Sequence, residues 1–171
     1  MTRGPPRRDP NAFEIQTPGH TDFGEITVLF NWLGGLQVWS EGCRGNFYNC
    51  VDPNPFVSDG RSDQPGWLYV PPRQGCAIIN LGDAMVHYTG GILCSGRHRV
   101  VPAPGAQGRW PRYSLVYFVR PEDTTKLKRI EGGIVPPRNR APNVEDDDEQ
   151  LTAKQWIMRQ ATKMAEGVKQ E

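Results

Sequence analysis

The sequence predicts a mainly β protein that ends in one helix, and three observations predict it. Gly 19 and Pro 16 make up about a fifth of the 171 residues. Both interrupt helices and supply turns, so short strands joined by turns fit better than a helical bundle. Two stretches, EITVLFNW at 25–32 and RYSLVYFV at 112–119, alternate with the period of two that marks a strand. Helical periodicity occurs only near the C-terminus. The length is that of one domain.

Each element follows in order. Residues 1–18 are rich in Pro and Arg and are expected to be poorly ordered unless a partner covers them. In 25–32, Ile26, Val28, Phe30 and Trp32 share one face and Glu25, Thr27 and Asn31 the other, which predicts a half-buried strand. Gly34–Gly35 and then Leu36–Trp39 suggest a turn and a second strand, hence a hairpin. Residues 40–66 hold four Gly and three Pro and read as a long surface loop.

Trp67–Val70 reads as a short strand ended by Pro71–Pro72, and Cys76–Leu81 (CAIINL) as a buried strand. Asp83–Tyr88 reads as a further short strand before a turn at Gly90–Gly91, and His98–Val101 as another, followed by a loop over 102–111. In 112–119, Arg112, Ser114, Val116 and Phe118 share one face, and Tyr113, Leu115, Tyr117 and Val119 share the other. Residues 121–150 read as a linker whose acidic run, Glu145–Glu149, is a solvated stretch. In 151–168, Thr152 and Gln155 have capping-box spacing, and Ala153, Trp156, Ile157, Ala161, Met164 and Val168 recur at helical steps. The expected organisation is therefore 1–18, a domain over 19–120, a linker over 121–150 and a helix over 151–168.

Charge and cysteine usage narrow the partners. Lys+Arg 20 against Asp+Glu 19 leaves a formal charge of +1, so no global field favours a nucleic acid. No apolar run of about 18 residues exists to span a membrane. The basic start has no apolar segment behind it and is not a secretory signal. Cys43, Cys50, Cys76 and Cys94 then read as reduced thiols of an intracellular, cytoplasmic protein. The spacing of Cys43 and Cys50 is not that of a zinc knuckle.

The chemistry-bearing residues form an ordered set. In GHTDFG, His20 and Asp22 are two apart and can point the same way from an extended backbone. His98, in GRHRVV, lies on an expected strand. Two imidazoles and one carboxylate make the facial triad of non-haem Fe(II) oxygenases, which leaves three coordination positions open. Arg112 and Ser114 share one strand face, and a guanidinium beside a hydroxyl suits a carboxylate. A charge on a face otherwise apolar needs a buried partner, and a bound dicarboxylate would be one.

The stretches HTDFGEITVLF, GGLQV, GCAIINLGDAM, TGG with RHRVV, and RYSLVYFV together resemble the catalytic half of the isopenicillin N synthase-like Fe(II)/2-oxoglutarate dioxygenases. The resemblance covers residues 18–120. It implies a double-stranded β-helix, a jelly-roll core of eight strands. It implies that His20, Asp22 and His98 bind Fe(II) and that Arg112 and Ser114 hold the distal carboxylate of 2-oxoglutarate. The implied reaction uses O2, releases succinate and CO2, and hydroxylates or desaturates a small organic metabolite.

The sequence departs from the family pattern in three ways. Family members are longer and carry a first core strand with a tyrosine motif before the His-x-Asp pair, so a barrel incomplete at its N-terminal side is expected. Residues 40–66 exceed the family's usual connection and suit a tolerated insertion or a substrate lid. In some relatives the Arg-x-Ser pair binds a substrate carboxylate instead. His87, with Tyr88 and Trp39 at lower weight, is a candidate for the substrate pocket wall. The alternative function is a truncated, non-catalytic fragment that still binds metal.

Overall fold

A computed structural model describes residues 1–7, 9, 14–40, 66–130, 132 and 150–167, with side chains of the last helix to residue 162. The element order is β1 Thr2–Gly4, β2 Thr17–His20, β3 Ile26–Asn31, β4 Leu36–Ser40, β5 Gly66–Tyr69, β6 Ile78–Leu81, α1 Asp83–Thr89, β7 His98–Val100, a 3-10 turn Gly105–Arg109, β8 Arg112–Val119 and α2 Ala153–Gly167. The strands form two four-stranded sheets, ordered β1-β8-β3-β6 and β2-β7-β4-β5. Eight strands threaded through two sheets in this way make a jelly roll.

A strand does precede the His-x-Asp pair. β1 pairs antiparallel with β8, Thr2 opposite Ser114 and Gly4 opposite Arg112. The described residues of 1–18 are therefore tied into the sheets, contrary to the expected loose leader. They contribute β1 and the start of β2, and the Gln16 backbone N–H donates to the Val100 carbonyl at 2.8 Å.

The chain divides into two compact units. One comprises Met1–Thr21, Val28–Ile79 and Gly96–Tyr117. In this unit β4 pairs with both β5 and β7, and β2 pairs with β7. The Gly34–Gly35 pair therefore does not close a β3–β4 hairpin; it turns the chain from one sheet into the other. Gly35 has φ +106°, a region that favours glycine. The β4–β5 ladder closes with Ser40 opposite Gly66, so the expected 40–66 loop is the connection of a hairpin. Its residues 41–65 lie outside those described, as do Cys43 and Cys50.

The alternation of β3 holds, but its faces are reversed from a simple apolar-in reading. Thr27 and Leu29 are buried, while Phe30 is 42% and Trp32 68% exposed. The same holds on β8, where Arg112 and Ser114 are buried and Tyr113, Leu115 and Tyr117 are exposed. Thr27, Arg112 and Ser114 thus lie inward beside the apolar Leu29, while several large apolar side chains of these strands lie outward. Cys76 and Ala77 precede β6, an edge strand of its sheet, and with Ile79 they are exposed instead of buried.

The other unit comprises Asp22–Thr27, Asn80–Ser95 and Phe118–Glu171. Its core is Ala84, Leu127, Ala153 and Trp156, with Phe23, Tyr88, Leu151 and Ile157 packed against it. Asp83–Thr89, expected as a strand, is helical. Ala84 and His87 are its buried residues, three apart as one helix face requires. Gly90 ends the helix in the left-handed conformation at φ +58°, its N–H turned back to the His87 carbonyl.

Residues 121–130 are also not a linker. Leu127 is fully buried, its N–H donates to the Leu151 carbonyl, and the Ala153 N–H donates to the Thr125 carbonyl. The acidic run 145–149 lies outside the described residues. At the start of α2 the capping box forms reciprocally. The Thr152 N–H donates to Gln155 Oε1 at 2.9 Å, and the Gln155 N–H donates to Thr152 Oγ1 at 3.3 Å.

Trp156 is the largest fully buried side chain among the described residues. Its ring meets Phe23 edge-on at 6.1 Å and His87 at 5.0 Å. A Trp156→Ala variant should lose about 3–5 kcal/mol of unfolding free energy, as buried aromatics cut to alanine do. Urea unfolding followed by circular dichroism measures this, and a loss under about 1 kcal/mol would contradict the assigned packing.

Candidate metal centre

The edge strand β2 ends at His20, and β7 begins at His98. The two are direct partners in the antiparallel ladder, so both imidazoles leave the same sheet face. Their ring centroids lie 4.4 Å apart. Asp22 follows two residues after His20, just beyond the end of β2. One donor atom from each of His20, Asp22 and His98 lies within 4.8 Å of the others.

Local hydrogen bonds select the tautomer of each neutral ring. His20 Nδ1 lies 2.8 Å from the Pro18 carbonyl, and His98 Nδ1 lies 3.0 Å from the Gly96 carbonyl. A carbonyl only accepts, so each Nδ1 carries the hydrogen and each Nε2 keeps a lone pair for an ion. This arrangement, the outer nitrogen tied to a backbone carbonyl, is typical of ligating histidines.

Asp22 is buried, and its Oδ2 is doubly engaged. Thr27 Oγ1 donates to it at 2.6 Å and Asn80 Nδ2 at 2.8 Å. Neither residue is singled out by sequence. Thr27 alternates with the apolar residues of β3, and Asn80 sits inside the run CAIINL. A signal exists there, since an amide within an apolar strand needs a partner.

Arg112 begins β8 and is only 6% exposed; Ser114, two residues on, is 2% exposed. Arg112 Nε donates to the Gly34 carbonyl at 3.0 Å and Nη1 to Ser114 Oγ at 2.5 Å. Nη2 is buried with no partner among the described residues. Burial lowers the Arg112 guanidinium from the ordinary arginine value. It stays charged at neutral pH all the same. A buried cation with an unanswered donor fits a bound carboxylate.

The Gly34–Gly35 corner anchors this side chain. The Gly34 N–H donates to Gln107 Oε1 at 3.0 Å. A Cβ on Gly35 would stand 2.3 Å from the Val101 carbonyl oxygen and 3.5 Å from Arg112 Cδ. Gly35→Ala should therefore cost about 1–3 kcal/mol of stability. It should also weaken carboxylate binding by moving the carbonyl that holds Arg112 Nε. Denaturant unfolding and calorimetry measure the two effects.

Each of the three pocket-wall candidates packs against an aromatic ring or a core cluster. Trp39 pairs with Trp67, 5.3 Å ring to ring. Val38 is the partner of His98, so Trp39, one residue on, takes the opposite sheet face. His87 is buried against Trp156, and Tyr88 packs on the same core. Burial, and then the Glu25 carboxylate, raise the Tyr88 phenol above its ordinary value. With the neutral phenol favoured in the folded state, stability should fall as pH rises above about 10. Tyr88→Phe should flatten that loss in an alkaline unfolding series.

Comparison with known proteins agrees with this geometry. The model of the 2OG-Fe(II) oxygenase superfamily matches residues 2–121. The chain belongs to this superfamily. Its match begins within β1, in keeping with the pairing of that strand. A 2-oxoglutarate-dependent dioxygenase of Aspergillus fumigatus is 34% identical over 140 residues, covering 78% of this chain and 32% of the relative. The 2-oxoglutarate-dependent dioxygenase iboH of Amanita muscaria is 34% identical over 116 residues, 68% of this chain and 47% of the relative.

Among solved structures, a 2OG-Fe(II) oxygenase family protein from Caulobacter crescentus superposes with a TM-score of 0.61. It is 25% identical, with 95% of this chain and 44% of that one covered. A full-length Neurospora crassa protein in complex with alpha-KG, 21% identical, shares the fold at a TM-score of 0.57 over 91% of this chain and 39% of that one. The chain thus spans between about a quarter and a half of the relatives it matches. Among the described residues, no helix is long and apolar enough to cross a membrane.

Proposed function

We propose that this chain carries the iron centre of a 2-oxoglutarate-dependent dioxygenase acting on a small organic molecule. The observation that carries this reading is the convergence of His20, Asp22 and His98, whose donor atoms lie within 4.8 Å of one another. Two neutral imidazoles and a carboxylate suit Fe(II) and leave three coordination positions for other ligands. Arg112 and Ser114 supply the second half of the site: a charged, buried fork whose Nη2 has no partner among the described residues. That fork fits the distal carboxylate of 2-oxoglutarate.

When bound, iron with 2-oxoglutarate and O2 supplies the oxidising power for hydroxylation or desaturation, with release of succinate and CO2. The protein's own residues do the rest. His20 and His98 present Nε2 because their Nδ1 hydrogens are held by backbone carbonyls. Arg112 binds the carboxylate, and the Gly34 carbonyl fixes the orientation of its guanidinium.

The relatives support a small-molecule substrate. One, from Streptomyces hygroscopicus and 34% identical over 116 residues, is named validamycin A dioxygenase. The charge balance of +1 favours no nucleic acid. Cys76 and Cys94 are free, exposed thiols, which fits a cytoplasmic setting.

Anaerobic titration with Fe(II) and 2-oxoglutarate tests the reading. A visible charge-transfer band should appear, and His98→Ala should abolish it. A folded protein that gives no band would overturn it.

A further inference from the structure

We infer that Thr27 and Asn80 form a two-donor clamp that holds Asp22 as a one-oxygen metal ligand and so preserves the open positions of the site. The inference rests on the iron-centre reading above. It goes beyond that reading by giving Thr27 and Asn80, which bind no ion themselves, a positioning role. It also gives a reason why a threonine occupies an inward position of β3.

The geometry is specific. A carboxylate offers two oxygens, and an ion can take one or both. Here one oxygen, Oδ2, receives hydrogens from two side chains at 2.6 and 2.8 Å. The donors come from different strands, Thr27 from β3 and Asn80 from β6, which are neighbours in the sheet. Thr27 is only 4% exposed, so its hydroxyl has no ready exchange with water. Two donors on one oxygen fix the rotation of the carboxylate about its Cβ–Cγ bond. Oδ1 is then the oxygen offered to an ion.

Loss of the clamp has two separable consequences. The carboxylate becomes free to rotate, so the ion is held less tightly. It can also swing to grip the ion with both oxygens, which takes a position that 2-oxoglutarate needs. A residue that merely supports the fold would produce neither effect.

The experiment uses the full chain with Mn(II) as the probe, by calorimetry, and then 2-oxoglutarate titrated into Mn(II)-saturated protein. Thr27→Val keeps shape and strand preference while removing the hydroxyl. It should raise the Mn(II) Kd by about 10–100-fold, the range for lost partners of metal ligands. It should also weaken 2-oxoglutarate binding at saturating metal. Thr27→Ser restores the hydroxyl and should restore both affinities. Asn80→Ala should act in the same direction and provides the same test if Thr27→Val does not fold. Leu29→Ala, on the same strand with no bond to Asp22, should leave both affinities near wild type.

Wild-type affinities in Thr27→Val and Asn80→Ala would overturn the clamp if Asp22→Ala has lost Mn(II) binding. Unchanged Mn(II) binding in Asp22→Ala would instead overturn the iron-centre reading itself.

Discussion

Replacing Arg112 by leucine should weaken 2-oxoglutarate binding by roughly 30–1,000-fold while leaving metal affinity within a few-fold of wild type. The magnitude comes from the charged hydrogen bonds that leucine cannot make, together worth about 2–4 kcal/mol. Arg112→Lys should rescue little, because a point charge on a flexible stem cannot reproduce the fork held by Gly34 and Ser114. The same logic makes the cosubstrate stabilising. Burial lowers the guanidinium from its ordinary value, which is a cost to the folded state that a carboxylate offsets. At about 100 times its Kd, 2-oxoglutarate should add about 2.7 kcal/mol of stability. For a chain of this length that is roughly 5–10 °C in Tm. A thermal shift present in wild type and absent in Arg112→Leu checks it. An equal shift in both would remove Arg112 from the site.

Asp22→Ala should lose Fe(II) binding by more than the ~10–100-fold expected for any residue that acts on the ligands from behind. The remaining two imidazoles, 4.4 Å apart by ring centroid, carry no negative charge to offset the ion. The substitution also leaves the Thr27 hydroxyl and Asn80 amide without their acceptor, and Thr27 is buried. Some loss of stability should therefore accompany the loss of metal, about 1–3 kcal/mol. Metal content after anaerobic reconstitution and gel filtration, read beside urea unfolding, separates the two effects. Asp22→Asn is the informative companion. It keeps an oxygen for the two donors, and so should retain the stability while losing the metal.

Much of this site is legible from the residues. His20 and Asp22 are linked by strand geometry, and Arg112 and Ser114 by alternation on β8. The resemblance to the dioxygenases names their roles. Two kinds of feature are not legible. Periodicity separates two faces but not which one is inside, and here Thr27 of β3 and Arg112 and Ser114 of β8 face inward. An apolar-in rule therefore puts Thr27 on the wrong side. Local pattern also cannot distinguish a seven-residue helix from a short strand. What decides α1 is the packing of Ala84 and His87 against residues far along the chain, Leu127 and Trp156. The three-residue β1 is too short to carry a period at all. Its existence depends on the β8 edge that it covers.

The pairing of His20 with His98 has a mechanical consequence. β2 is the outermost strand of its sheet, and its ladder to β7 shifts register between Thr17 and His20. An ion held there would rivet an irregular edge strand to β7, joining positions far apart along the chain. Because the ion binds the folded site and not the dispersed ligands of the unfolded chain, its binding energy adds to the stability of the folded state. Chelation should then do more than silence the centre. It should loosen the segment that leads into His20 ahead of the rest, and a protease should find its earliest cut near Thr17.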